Sequence, residues 1–479
     1  MKKRWIALLL ALAALLGCVA LAEGDPAEVL AEKVRFRDVS VHDPSILRAP
    51  DGTFYIFGSH MAAAKSEDLI AWRQISRNAL SGCTLVEDVQ NQMKEALSWA
   101  KTSTFWAPDV QRLADGRYAM YYCACEGSSP LSALGLAVAD DPEGPYVDQG
   151  VFLKSGMPGY NASYYPNVVD PCAFFDRDGR LWMVYGSYSG GIFILEMDGK
   201  TGLPLEGQKY GTKLLGKNHA RIEGPYILYS PETEYYYLFL SFGELEASGG
   251  YNIRVCRSRN PDGPYEDSLG QSMIDCGGRP GTFFNDPDYE PYGVKLMGGY
   301  RFDAAQTDVN QHVTGYRSPG HNSAYYDPQT GAYYLVFHTR FAGAGETHSV
   351  RVHRMTMNED GWPVVSPLRY AGEDGAPIPA ENCPGLYKML FHEHDINAVE
   401  HESVTAALRV DGAVDGDAEG EWLYLDGGAL RLTLNGSQYR GTFVTCYDGA
   451  QAAWVTCLTA LNAAGEAVWG IRTDPVPEL

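Results

Sequence analysis

Five copies of one short pattern are spread along this chain. Self-similarity at a regular interval commits a sequence to an architecture in which each unit packs on its neighbours. The copies begin at His42 (HDPSILRAPDGTFYIFGS), Ala107 (APDVQRLADGRYAMYYC), Asp170 (DPCAFFDRDGRLWMVYGS), Gly224 (GPYILYSPETEYYYLFLS) and Asn322 (NSAYYDPQTGAYYLVFH). Each runs from a short opening into an apolar strand, a turn of Gly, Asp or Pro, and an aromatic-rich second strand. A further strand and a charged turn follow, as in LGLAVADDPEGPYVDQG from Leu134 and NIRVCRSRNPDGPYED from Asn252. Pro-Glu-Gly-Pro and Pro-Asp-Gly-Pro are strong turn formers. Each unit therefore holds about four short antiparallel strands, the content of one propeller blade. The expected fold is all-β, with a five-bladed β-propeller over residues 30–380.

Pro44, Pro108, Pro171 and Pro225 recur at nearly even intervals, whereas the fifth start, at Ser323, lies much farther on. An insertion is expected there, roughly Ser268 to Gly320. A second long connection, Ser76 to Ser103, contains the helix-like VEDVQNQMKEALSWA. Both precede a copy's start, so both are expected to rim one face and shape a substrate groove. The repeat ends near Pro379. Beyond Asn382-Cys383-Pro384 the chain alternates apolar and polar residues between Gly and Asn turns, which reads as a small β-barrel or sandwich over residues 385–479.

The N-terminus carries Lys2, Lys3 and Arg4, an apolar run from Ile6 to Leu16, and Ala20-Leu21-Ala22. This is the layout of a signal peptide over residues 1–22, and it implies a secreted protein. Leu15-Leu16-Gly17-Cys18 is the alternative, a lipoprotein processing site that would anchor Cys18. No later segment is long and apolar enough for a membrane span. A net charge of −22 argues against nucleic acid as a partner. Of 10 cysteines, nine remain beyond the leader. An odd number in a large chain is no disulfide framework, so buried free thiols are expected and no metal is assigned to cysteine. A monomer is expected.

The residues at or just before the five starts are Asp43, Trp106, Asp170, Glu223 and His321. In a closed ring the first strand of each blade is innermost, so these positions meet at one mouth of the central channel. Asp43, Asp170 and Glu223 would face each other across a gap. Glycosidic hydrolysis needs such a set, an acid for the leaving oxygen and a base for water; a separation of about 6.5–9.5 Å leaves room for that water and gives inversion. Mutual repulsion would hold one group protonated near neutral pH. An Asp before Pro is also a common turn residue, so each acid alone is weak and the coincidence carries the reading. His321 is either a structural histidine or one that orients a carboxylate or holds a cation. Asn167 is placed to bond a sugar hydroxyl or to hold Asp170. Phe105, Trp106, Tyr165 and Tyr188 are candidates for stacking on sugar rings, with core packing as the alternative. Arg340 either tunes a carboxylate or forms a structural ion pair.

With His42-Asp43-Pro44-Ser45, Phe105-Trp106-Ala107-Pro108-Asp109, Asn167-Val168-Val169-Asp170-Pro171, Glu223-Gly224-Pro225 and Gly320-His321-Asn322-Ser323 in this order, the chain resembles glycoside hydrolase family 43. Within it, the resemblance is to the two-domain endo-1,5-α-L-arabinanases. It extends to the C-terminal Gly465-Glu466-Ala467-Val468-Trp469-Gly470, similar to the end of their accessory barrel. The resemblance implies cleavage of internal α-1,5 bonds of arabinan, a side chain of pectin, with inversion. It implies Asp43 as general base, Glu223 as general acid, and Asp170 as the carboxylate that orients the acid and tunes its pKa. His321 would bind a central calcium, mostly through waters. Other specificities on the same scaffold, an exo-α-L-arabinofuranosidase or a β-xylosidase, and a non-catalytic sugar-binding propeller are the alternatives.

Overall fold

A computed structural model describes residues 34–303, 315–449 and 451–473. The expected signal peptide and Cys18 lie outside them. Five sheets follow one another along the chain, four of them four-stranded and antiparallel and the fifth six-stranded around a four-stranded antiparallel blade. Blade 1 comprises Ser45–Arg48, Phe54–Gly58, Ala62–Ser66 and Arg73–Ser76. Blade 2 comprises Trp106–Arg112, Tyr118–Cys125, Ser132–Ala139 and Val147–Lys154. Blade 3 is Cys172–Phe175, Leu181–Tyr185, Ile192–Met197 and Thr212–Leu215, and blade 4 is Ile222–Ser230, Tyr235–Phe242, Asn252–Ser258 and Val294–Met297. Blade 5 is Gly315–Tyr326, Tyr333–Arg340, His348–Met357 and Pro363–Val365. Its sheet is widened by Tyr300–Arg301 and, in parallel, His401–Glu402.

The second strands explain why the repeat is so apolar. Tyr118–Cys125 and Tyr333–Arg340 are buried along their whole length. A blade packs on a neighbour across each face, so a middle strand has no wet side and loses the usual alternation. The apolar core is divided accordingly into clusters between blades. Val110, Phe57 and Tyr122 belong to the cluster joining blades 1 and 2, and Tyr121, Val169 and Met183 to that joining blades 2 and 3. Val184, Ile227 and Leu238 join blades 3 and 4, and Phe239, Leu296 and Phe337 join 4 and 5. Ile46, Ile56, Val336 and Val352 pack together between blades 5 and 1, which closes the ring. Each such side chain contributes about 1.5–3 kcal/mol through burial. The segment before blade 1 stitches the same seam: Arg37 pairs with Ala71, Val39 O accepts from Val350 N at 3.0 Å, and Asp38 lies 2.8 Å from Arg369.

One expectation is corrected. Ser268–Gly320 is not a pure insertion, because Val294–Met297 is the outer strand of blade 4. That strand is only four residues long and stands far from the turn after Ser258, so no hairpin signal marks it. In the Ser76–Ser103 connection the helix-like stretch forms two short helices, Val89–Gln92 and Lys94–Ala100.

The C-terminal part is a closed eight-stranded barrel, not a sandwich, with strands from Gly385–His392 to Ala467–Arg472. It closes where Tyr387 pairs with Arg472. Its outer residues Leu390, Val455 and Trp469 share a core with Phe302 and Val365 of the propeller. Arg431 to Glu359 at 2.9 Å and Arg440 to Asp360 at 2.6 Å add ion pairs across this junction. All nine described cysteines are free thiols, and all but Cys83 are buried. No described helix is long and apolar enough to cross a membrane.

Candidate active site

The openings of four repeat copies share an unusual backbone. Asp43 (φ 55°), Asp170 (φ 55°), Gly224 (φ 58°) and His321 (φ 43°) all lie in the left-handed region. Each non-glycine residue there costs about 1–3 kcal/mol unless the surroundings impose it. Asp43, Asp170 and Gly224 each precede a proline, which disfavours the right-handed alternative. Register breaks follow at Glu223/Tyr226, Trp106/Asp109 and Arg317/Gly320. Such bulges re-aim side chains. Together they turn Asp43, Asp170, Glu223 and His321 into one cavity of about 910 Å³ at one mouth of the ring.

Asp43 is the most heavily supported. Its Oδ2 lies 2.7 Å from His42 Nδ1 and accepts from Ser59 Oγ. Its Oδ1 lies 3.2 Å from His321 Nδ1, and its own N–H donates to His338 Nδ1 at 3.2 Å. Burial opposes the charge on Asp43, but His321, His42 and His338 outweigh it and hold the carboxyl well below the usual range. Burial keeps His321 and His338 largely neutral. The contacts from His42 Nδ1 and Ser59 Oγ support the anion beside the other imidazoles. His42, Asp43 and His338 bring ligand-type atoms within 4.8 Å of one another, and the Nδ1 atoms of both histidines are already engaged with Asp43.

Glu223 has the opposite bias. Burial pushes it up to about 7, the hydrogen bonds from Tyr251 and Ser187 pull it back, and the charge of Asp43 adds to the rise. Tyr251 OH donates to Oε1 and Ser187 Oγ to Oε2, each at 2.7 Å. Asp170 is raised well above the normal range by burial, then by Glu223 and Asp43. Its Oδ2 accepts from Gly224 N at 3.2 Å, which ties it to the residue beside Glu223. One carboxylate is thus ionised while the Asp170–Glu223 pair retains a proton, and that separation of roles is what acid–base chemistry needs.

The other expected site residues divide. Trp106 lines the cavity, as do His321 and Arg340. Arg340 Nε pairs with Glu346 at 2.6 Å. Phe105 is fully buried and packs edge-on to Tyr122 at 5.7 Å, so it has no face for a sugar. Asn167 is also buried and does not face the cavity. Its Oδ1 accepts from Ser132 Oγ at 2.5 Å, while that hydroxyl takes the Val168 N–H, which fixes the approach to Asp170. Tyr188 stands outside the cavity lining, its OH donating to Gly243 O at 2.9 Å. Tyr165 is exposed, its ring 5.4 Å from Tyr210. Arg77, Asn78, Leu80, Ser103 and Thr104 bring the first long connection to the cavity, whereas no described residue of Ser268–Gly320 is among its lining. Ser59, Ser187 and Tyr251 went unnoticed in the sequence, and His338 stood out there only as part of the Val336-Phe337-His338-Thr339-Arg340 strand that shares in the family resemblance. His42, beside Asp43, carried a signal there; Ser59, Ser187 and Tyr251 lie in the turns just outside their blades' strands, where the local pattern is ordinary.

A five-bladed ring with a charge-separated set of carboxylates at one mouth defines a glycoside hydrolase. The chain belongs to the glycosyl hydrolases family 43, whose profile matches residues 36–286, and a C-terminal lipocalin-like domain profile matches residues 367–470. It is 53% identical over 454 residues to the extracellular endo-α-(1→5)-L-arabinanase 2 of Bacillus subtilis, covering 93% of this chain and 96% of that one. It is 44% identical over 486 residues to the extracellular endo-α-(1→5)-L-arabinanase of Thermotoga petrophila, covering 98% and 100%. A crystal structure of a family 43 glycoside hydrolase from Bacillus licheniformis superposes with a TM-score of 0.89 at 53% identity, covering 92% of this chain and 100% of that one.

Proposed function

We propose that this protein is a secreted, monomeric endo-1,5-α-L-arabinanase that hydrolyses arabinan, including the arabinan side chains of pectin, with inversion. The observation that carries the reading is the opposed protonation of Asp43 and Glu223 in one cavity. Near-full-length similarity to relatives named extracellular endo-arabinanases supports the substrate and the location.

Asp43 takes a proton from water as the water oxygen bonds to the anomeric carbon. The glycosidic C–O bond breaks, and its oxygen takes the proton of Glu223. Both groups reset by exchange with solvent. Asp170 fixes the Gly224 amide and, by its closeness, keeps the proton on the pair. Trp106 offers a ring at the cavity wall. Early digestion of linear arabinan should give a ladder of oligomers, and proton NMR should detect β-configured reducing ends first. Arabinose alone from the outset would favour the exo reading, and xylan turnover a β-xylosidase. No turnover of any of these would leave a sugar-binding propeller.

Calcium belongs to this proposal. Asn322 is buried with both amide atoms unpartnered, and it lines a small cavity with Asp43, Asp170 and His321. One imidazole amid oxygen donors suits a hard, hydrated cation. His321 would hold it, largely through waters, and its charge would supply electrostatic support to the acids. Chelation should lower both melting temperature and activity, with calcium restoring both. Unchanged values after exhaustive chelation would remove the ion.

A further inference from the structure

We propose that Phe283 and Phe284, with His219 and Tyr188, form an aromatic platform that binds the polysaccharide beyond the carboxylates; this rests on the arabinanase reading. Phe283 is 63% exposed and Phe284 38% exposed. Single exposed apolar residues are ordinary, but these rings are joined. Phe283 and Phe284 are 4.2 Å apart, Phe284 is 5.5 Å from Tyr188, and Phe283 is 4.5 Å from His219.

The platform is continuous with the site. Tyr188 follows Ser187, the donor to Glu223 Oε2, and its N–H donates to Ile222 O at 2.9 Å. The chain carrying the phenylalanines is fastened to the strand that presents Glu223. Asn218 Nδ2 donates to Gly278 O at 2.8 Å, Arg221 Nε to Asp286 Oδ1 at 3.0 Å, and Arg221 N to Tyr289 OH at 3.0 Å.

A second observation points the same way. Tyr188 (φ 48°), His219 (φ 59°) and Phe284 (φ 53°) all have left-handed backbones. Bulky residues rarely adopt this region, and when held there they cluster at ligand clamps and active sites. Phe284 is exposed while Tyr188 and His219 are half-buried, and three strained ring-bearing residues in one such cluster bring no gain to the core. An aromatic face pre-positioned at low entropic cost suits the C–H face of a sugar ring. Tyr188 belongs to blade 3, and the other three rings to the chain flanking the blade 4 inner strand and the segment leading to its outer strand. The cavity is walled largely by blades 1, 2 and 5. A chain crossing the carboxylates would therefore be held on both sides of the cut.

The test compares Phe283→Ala, Phe284→Gly and Phe283→Trp with wild type on linear arabinan and on arabinobiose or arabinotriose. Phe284→Gly keeps the left-handed backbone free of strain, so it separates ring loss from misfolding. The ratio of kcat/KM on polymer to kcat/KM on the short substrate should fall by about 3- to 10-fold in Phe283→Ala and Phe284→Gly, mostly through KM, and Phe283→Trp should restore it. An unchanged ratio, or equal losses on both substrates, overturns the platform. Absence of wild-type turnover on arabinan would instead overturn the arabinanase reading. Binding of linear arabinan to Glu223→Gln, with and without Phe283→Ala, reads the platform independently of turnover: equal affinities would also overturn it.

Discussion

Replacing Glu223 by Ala should lower kcat on linear arabinan by at least ~100-fold, the scale of lost general acid catalysis. Burial has raised this carboxyl to about 7, so wild-type kcat/KM should fall as pH rises through that region. The falling limb belongs to the Asp170–Glu223 pair as a unit. In Glu223→Gln, which preserves hydrogen-bond capacity toward Tyr251 and Ser187, that limb should flatten. Stability should move oppositely. A carboxyl whose folded pKa exceeds its unfolded value binds its proton more tightly in the fold, so it favours the fold least once pH has risen past the folded value. Glu223→Gln should therefore melt higher than wild type above pH 7, with the gap closing below the ordinary carboxylate range. Near-full activity in either variant would remove Glu223 from proton donation.

Asp43→Ala should cost a loss of the same order, at least ~100-fold, across the whole pH range. The group is held ionised by His42, Ser59 and His321, so no accessible pH restores a base once it is gone. Azide, a nucleophile that needs no deprotonation, should recover part of the turnover on an activated substrate and give the inverted glycosyl azide. Asp43 also raises Glu223, and its removal should shift the residual alkaline limb to lower pH. Unaltered turnover, or an azide product of retained configuration, would defeat the assignment of Asp43 as base.

Much of this is legible in the amino-acid sequence. The blade count followed from a repeat whose turns and aromatic strands are local signals, and the three acids with His321 stood at equivalent positions in it. Residues that act by orientation were harder. Phe105 and Trp106 are neighbours of the same chemical kind, yet successive side chains point to opposite sides, so one is sealed in the core and the other lines the cavity. Asn167 stands three residues before Asp170 and accepts from Ser132, whose hydroxyl takes the Val168 N–H, instead of facing the cavity. Val294–Met297 carried too few residues to announce itself as the last strand of blade 4.

The amino-acid order alone determined which units form and which acids sit at their openings, because strands, turns and spacing are encoded within a dozen residues. Only the tertiary structure decided which acid keeps its proton. That depends on burial and on partners remote in sequence: Tyr251 and Ser187 on Glu223, Ser59 and the imidazoles on Asp43. Ring closure brings those groups together, and desolvation in the closed ring turns carboxyls of the same chemistry into a base and an acid.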